Sequence, residues 1–315
     1  MVWIILFLII FLLINWNIPF YRDRNREKLV SDESKCFSEK CRSIVYDRNR
    51  DEAVLLIHGF PATPYMYHYA AQRLDEAGFD AYAPLIPTFG ADIKEFEKTE
   101  FTQWFDFISD YYETLRKRYG KVFVLGVSMG GAMTLKIGEK YSGTSLAPDA
   151  LVCISSPVAY NSIRCGVYTN LKAVLAPTLS LFVKNIGAGT VTSRPYSNDG
   201  DEEWTGYKGT FIKQGLSLSK AFDRIRKDLR KITVPMYVMH DRGDKTVPFK
   251  NLAVLEKSCH DYIKVKREVE MKGDFRHSHH CLLSYRSVQK QYMDDIISFL
   301  KGCYDSKEKG LHKLG

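Results

Sequence analysis

The sequence predicts an α/β domain, a mostly parallel sheet with helices on both faces. Three observations lead there. Short continuous apolar runs at 53–57, 122–125, 150–154 and 234–239 have the composition of strands buried on both faces. Segments with apolar residues at helical spacing lie between them, and this alternation belongs to a parallel sheet with crossover helices. The alternation breaks over 157–231, a stretch too long for a loop and too short for an independent domain, which reads as a cap inserted over the sheet.

The chain has 315 residues, 45% of them hydrophobic, enough for a large core. The formal net charge is +8, but Lys and Arg are dispersed, so no nucleic-acid partner is expected. Among seven cysteines no spacing suggests zinc. Cys153 lies in an apolar run and is expected in the core, whereas Cys36 and Cys41 could close a small disulfide if exported or stay as thiols if cytosolic.

Residues 1–14 carry no charge. As a helix they would span about 21 Å, and continuing to Tyr21 brings the length to about 31 Å, against a bilayer core of ~30 Å. Trp16 and Tyr21 suit an interface, and Pro19 would end the helix. Residues 1–21 are therefore expected to be an uncleaved membrane anchor. The rival reading, a cleaved signal peptide, lacks a basic leading region and a small-x-small site. Arg22, Arg24, Arg26 and Lys28 follow at once, which favours the cytoplasmic side for the body.

Residues 22–42, charged and Ser-rich, read as a linker. The segment 43–46 is a candidate short strand, and 47–52 a polar turn. The run 53–57 is the first buried strand. Thr63 and Pro64 read as the N-cap and first position of a helix that runs to Glu76 and stops at Gly78. The segment 80–83 is the next strand. Phe101, Trp104, Phe105, Ile108, Tyr111, Tyr112 and Leu115 make the aromatic core stripe of a helix ended by Gly120. A strand at 122–125 leads into a helix at about 129–141, and 150–154 is a further strand. Within the cap, 216–229 is helical. Beyond it come a strand at 234–239, a helix at about 251–258, a strand at 262–266 and a last helix at about 288–300. The tail 303–315 is polar.

The chemistry centres on Gly126-Val-Ser128-Met-Gly130. A serine between glycines, after a strand and before a helix, is the layout of a sharp turn that lifts the hydroxyl clear of the sheet. Small residues at 126 and 130 let strand and helix pass. Serine is a poor nucleophile until a base takes its proton and an acid fixes that base. Ser128, Asp244 and His280 each follow a separate strand, so all three can reach the rim formed by the C-terminal strand ends.

These motifs resemble the α/β-hydrolases, in the branch of monoacylglycerol lipases and small bacterial carboxylesterases. The resemblance covers about 43–302. It rests on Leu55-Leu-Ile-His-Gly-Phe60, the elbow, Asp244-x-x-Val247-Pro248, Ser278-His279-His280 and Phe299-Leu300. It implies an α/β-hydrolase fold with Ser128 as nucleophile, Asp244 as acid and His280 as base. The backbone N–H groups of Phe60 and Met129 would form the oxyanion hole, and His58 would support that hole from beneath. Asp241 competes with Asp244 for the acid role, and His277 and His279 compete with His280 for that of the base. The family's Gly-His-Gly after the second buried strand is replaced by Pro87-Thr-Phe-Gly90.

The expected activity is hydrolysis of carboxylic esters through an acyl-enzyme, with no cofactor and no metal. The cap suggests an apolar acyl group, and the anchor a lipid-derived substrate such as a monoglyceride or lysolipid. One alternative is an aminopeptidase of the same fold, with Asp199, Asp201, Glu202 and Glu203 holding a substrate ammonium. Another is a non-catalytic binding protein at a membrane.

Overall fold

Each apolar run forms a strand, and the two-residue period of a strand sorts its side chains between two layers. The computed structural model describes residues 1–16, 21–160, 165–167, 171–193, 199–200, 204–272 and 278–302. Its strands are β1 (Ile44–Tyr46), β2 (Glu52–Ile57), β3 (Asp80–Ala83), β4 (Lys121–Val127), β5 (Ala150–Ile154), β6 (Asn185–Val191), β7 (Gly206–Phe211), β8 (Met236–Asp241) and β9 (Ile263–Val269). Seven of them form one sheet in the order β1-β3-β2-β4-β5-β8-β9. All neighbours are parallel except β1, which runs antiparallel to β3. The remaining pair, β6 and β7, is an antiparallel hairpin within the cap.

The helices are α1 (Val2–Trp16), α2 (His68–Glu76), α3 (Ile93–Phe96), α4 (Phe101–Arg118), α5 (Met129–Tyr141), α6 (Leu171–Leu179), α7 (Ile212–Asp228), α8 (Lys250–Cys259) and α9 (Gln289–Leu300). Ala53, Leu55 and Ile57 of β2, Val122 and Val124 of β4, and Leu151 and Cys153 of β5 share one core with α4, α5, α7 and α8. The intervening residues, Val54 and Leu56, Phe123 and Leu125, Val152 and Ile154, face the opposite core with α2 and α9. Burial on both sides is why these strands read as unbroken apolar runs.

One local expectation changes. Thr63 does not cap a helix with its side chain: residues Pro64–Tyr67 form a 3-10 turn before α2, and the Thr63 hydroxyl donates instead to Thr205 O (2.9 Å). That bond helps fasten the cap. Tyr207 N donates to Pro61 O (3.0 Å), and Ala62 pairs with Gly206 as an isolated antiparallel bridge. The cap hairpin is thus stitched to the loop after β2. Of the two states the sequence left open for Cys36 and Cys41, the structure has both as free thiols.

The linker expected at 22–42 is a strap bound to the body. Asp23 is buried. It accepts from Thr102 N (3.0 Å), Thr102 Oγ1 (2.6 Å) and Ser217 Oγ (2.8 Å), so it joins the start of α4 to α7. Glu100, also buried, accepts from Arg24 N (2.9 Å) and Asn25 N (3.2 Å). Charge and serine content were misleading here because these polar groups find partners on the domain rather than in water.

The membrane anchor expected at 1–21, and with it the membrane localisation, is overturned. No helix among the described residues is long and apolar enough to cross a membrane. Helix α1 has 15 residues, about 22 Å against a ~30 Å core. Tyr21 does not extend it: its hydroxyl donates to Glu100 Oε1 (2.6 Å) at the start of the strap. The tail after Gly302 lies outside the described residues.

Candidate active site

The elbow begins with glycines that leave no room for a side chain. A Cβ on Gly126 would lie 2.2 Å from Gly130 C and O, and one on Gly130 only 1.8 Å from Ile57 O. A Cβ on Gly131 would lie 1.9 Å from Ser156 Oγ. Strand β4, helix α5 and the end of β2 therefore touch backbone to backbone. Ser128, held between them, has φ 59° and ψ −124°, a strained conformation for a residue with a side chain. Ser128 N donates to Ile154 O (3.0 Å), and Ser155 N to Met239 O (2.8 Å). These bonds tie the C-terminal ends of β4, β5 and β8 into one rim.

Beside the serine runs the loop after β2. A Cβ on Gly59 would come within 3.3 Å of Ser128 Cβ and 3.9 Å of its Oγ, so the backbone leading to Phe60 passes next to the hydroxyl. Met129 opens α5, so its N–H has no intrahelical acceptor. His58 is fully buried below this loop. Ile86 N donates to its Nε2 (3.2 Å), which assigns the ring proton to Nδ1, 3.1 Å from Gly59 O. Burial pushes the imidazole down to about 4, so it is neutral near pH 7. A neutral ring bonded to backbone at both nitrogens is a brace.

Asp244 lies in the turn after β8, its side chain fully buried. Oδ1 accepts from Thr246 N (2.8 Å) and Val247 N (2.9 Å). Oδ2 lies 2.8 Å from His280 Nδ1. Burial alone would raise this carboxyl. The charge and hydrogen bond of His280, with a further bond from His240, overcome it and hold the group well below the usual carboxylate range.

Asp241 and His279 form a pair of their own. His279 Nδ1 lies 3.2 Å from Asp241 Oδ1, which also accepts from Gly243 N (2.6 Å), while Oδ2 accepts from Met271 N (2.9 Å). This pair, with Lys245 N donating to Ser278 O (3.0 Å), staples the Asp244 turn to the His280 loop. His279 sits at φ 58°, so the chain turns sharply just before His280. His277 lies outside the described residues.

Two residues at the site were not singled out from the sequence. The Tyr67 hydroxyl donates to Ile57 O (2.7 Å) and accepts from Val127 N (2.9 Å), bridging the ends of β2 and β4 beneath the elbow. Tyr285 OH accepts from His280 N (3.2 Å). Both are aromatic residues in helical or loop context, and only their hydroxyl partners, distant in sequence, mark them.

The serine aminopeptidase S33 family model matches residues 48–279. The thermostable monoacylglycerol lipase of Bacillus sp. (strain H-257) is 26% identical over 212 residues, 67% of this chain and 77% of that protein. The carboxylesterase of Bacillus subtilis (strain 168) is 33% identical over 89 residues, 28% of this chain and 36% of that protein. Among solved structures, one described under the metagenome-derived lipolytic enzymes LipS and LipT gives a TM-score of 0.66 at 15% identity, covering 84% of this chain and 98% of that chain. The Paleococcus ferrophilus monoacylglycerol lipase gives 0.61 at 19%, covering 82% and 98%.

Proposed function

The chain belongs to the serine aminopeptidase S33 family, and from that premise we propose that this lipase/esterase-type α/β-hydrolase cleaves apolar carboxylic esters through an acyl-enzyme on Ser128. The observation that carries the reading is the shared rim: a strained serine ends β4, and the buried Asp244–His280 pair stands beyond β8. Ser128 Oγ attacks the ester carbonyl, and His280 takes its proton. Asp244 holds the imidazole with Nδ1 facing the carboxylate and Nε2 free for the serine. The N–H groups of Phe60 and Met129 receive the negative charge that develops on the carbonyl oxygen. The proton then passes from His280 to the leaving alcohol. Water, activated by the same base, releases the acid and restores Ser128.

The apolar acyl preference is supported by the half-buried Phe60 ring beside the oxyanion loop, which is backed by buried aromatic rings. The Phe60 ring lies 5.8–6.4 Å, centroid to centroid, from Phe89, Phe96, Trp104 and Phe211. Phe211 comes from the cap. The named relatives include monoacylglycerol lipases, which makes a monoglyceride a candidate substrate. The test is turnover of a p-nitrophenyl ester ladder, acetate to palmitate, by wild type and Ser128→Ala. The expected result is loss of turnover in the variant, by about 10³-fold or more. Intact hydrolysis by a folded Ser128→Ala would refute the mechanism.

The family description favours aminopeptidase activity as a second reading. Of the acids it would use, Asp199 is engaged elsewhere, accepting from Ser287 N (2.8 Å) and Oγ (2.5 Å). Asp201, Glu202 and Glu203 lie outside the described residues. Faster cleavage of aminoacyl-naphthylamides than of any acyl ester would establish it.

A further inference from the structure

His240 is a buried residue near the end of β8 that the mechanism above does not use. Its ring packs edge-on against Phe249, centroids 5.7 Å apart. Its Nε2 lies 3.0 Å from Val247 O and 3.2 Å from Asp244 Oδ2. A carbonyl oxygen and an ionised carboxylate can only accept, so Nε2 must carry the proton: it donates to Val247 O, and Asp244 Oδ2 lies in charge contact with the same N–H. The oxygen it reaches, Oδ2, is the one that faces His280 Nδ1 at 2.8 Å. Asp244 therefore stands between two imidazoles on one oxygen and two backbone N–H groups on the other.

Resting on the assignment of Asp244 and His280 to the reaction, we propose that His240 is a positioning residue whose Nε2–H fixes the Asp244 carboxylate in the rotamer that presents Oδ2 to His280. Without it, two backbone bonds grip Oδ1 alone, and the carboxylate can pivot about that oxygen. His280 then loses its alignment with Ser128 Oγ. The bond to Val247 O serves the same end, because Val247 N is one of the two donors that hold Oδ1.

The experiment uses full-length protein and three variants. His240→Phe keeps the ring and deletes the donor. His240→Gln carries an amide N–H at about the reach of Nε2, whereas His240→Asn has the same amide one methylene shorter. Each is assayed for kcat and KM on an ester and for the rate of fluorophosphonate labelling, which reads the Ser128–His280 pair whatever the natural substrate. His240→Phe is expected to lose about 10- to 100-fold in kcat and in labelling rate, with KM unchanged. Gln is expected to recover most of that loss and Asn little of it. Wild-type labelling by His240→Phe, or equal rates in Gln and Asn, would overturn the proposal. Should Phe fail to fold, the Gln–Asn comparison decides alone, because the two differ only in reach. Wild-type protein that is not labelled at all would instead refute the serine-hydrolase reading on which the proposal rests.

Discussion

Asp241 and Asp244 are three residues apart, with side chains equally buried, yet their partners divide them. Each accepts two backbone N–H groups, but Asp244 reaches His280 at 2.8 Å and Asp241 reaches His279 at 3.2 Å. Asp244→Asn is therefore expected to cut kcat by about 10³- to 10⁴-fold with little change in KM, because the amide favours the wrong histidine tautomer. Asp241→Asn is expected to act chiefly on stability, by about 1–3 kcal/mol, through a lost backbone acceptor. Steady-state kinetics and urea unfolding of the two variants separate these effects, and the opposite pattern would exchange the two roles. From the sequence, Asp244 and His280 were preferred on spacing, with Asp241, His279 and His277 as competitors. Which aspartate faces which histidine needed distances, because residues so close along the chain differ only in which way the turn points them.

At the scale of elements, the elbow is a contact between backbones. Gly130→Ala would gain about 1 kcal/mol of helix propensity. It would also place a methyl group 1.8 Å from Ile57 O, where only backbone can yield. The expected net loss is about 2–3 kcal/mol or more, measured by chemical denaturation, with activity falling because Ile57 leads into the oxyanion loop. Stability equal to wild type would mean that β2 and α5 do not meet as described. The strap gives a second test. Asp23→Ala strips acceptors from Thr102 and Ser217 at a buried position and is expected to cost about 1–3 kcal/mol. It should also speed proteolysis within 21–31, since the strap is held at that point. Unchanged proteolysis would show that Glu100 suffices to hold it. The elbow's need for glycine was legible in the sequence because strand, turn and helix are contiguous there. The strap was not, because its partners lie some 75 to 194 residues away.

For the whole molecule, the buried His58 links folding to pH. Its folded value of about 4 lies below the 6.5 of the unfolded chain. As pH falls through 6.5 the unfolded state takes up a proton that the folded state refuses. The stabilisation is thus complete above about pH 6.5 and is lost progressively down to about 4, amounting to roughly 3 kcal/mol. Urea-unfolding free energies across this window should slope upward with pH. In His58→Gln the slope should be shallower by about one proton. An unchanged slope would mean that His58 is not buried neutral.

Read alone, the sequence determined the strand–helix alternation, the two-faced burial of the sheet, the elbow serine and the set of residues from which the acid and base are drawn. These follow from local pattern, because a buried strand must be apolar throughout and a tight turn must be small. The tertiary structure decided the rest. It paired Asp244 with His280 and Asp241 with His279, and it set His240 and Tyr67 behind the site. It also turned an expected linker into a strap and left α1 too short to cross a membrane. Those outcomes depend on groups far apart in the chain meeting in space, and no local pattern encodes which partner a polar side chain will find.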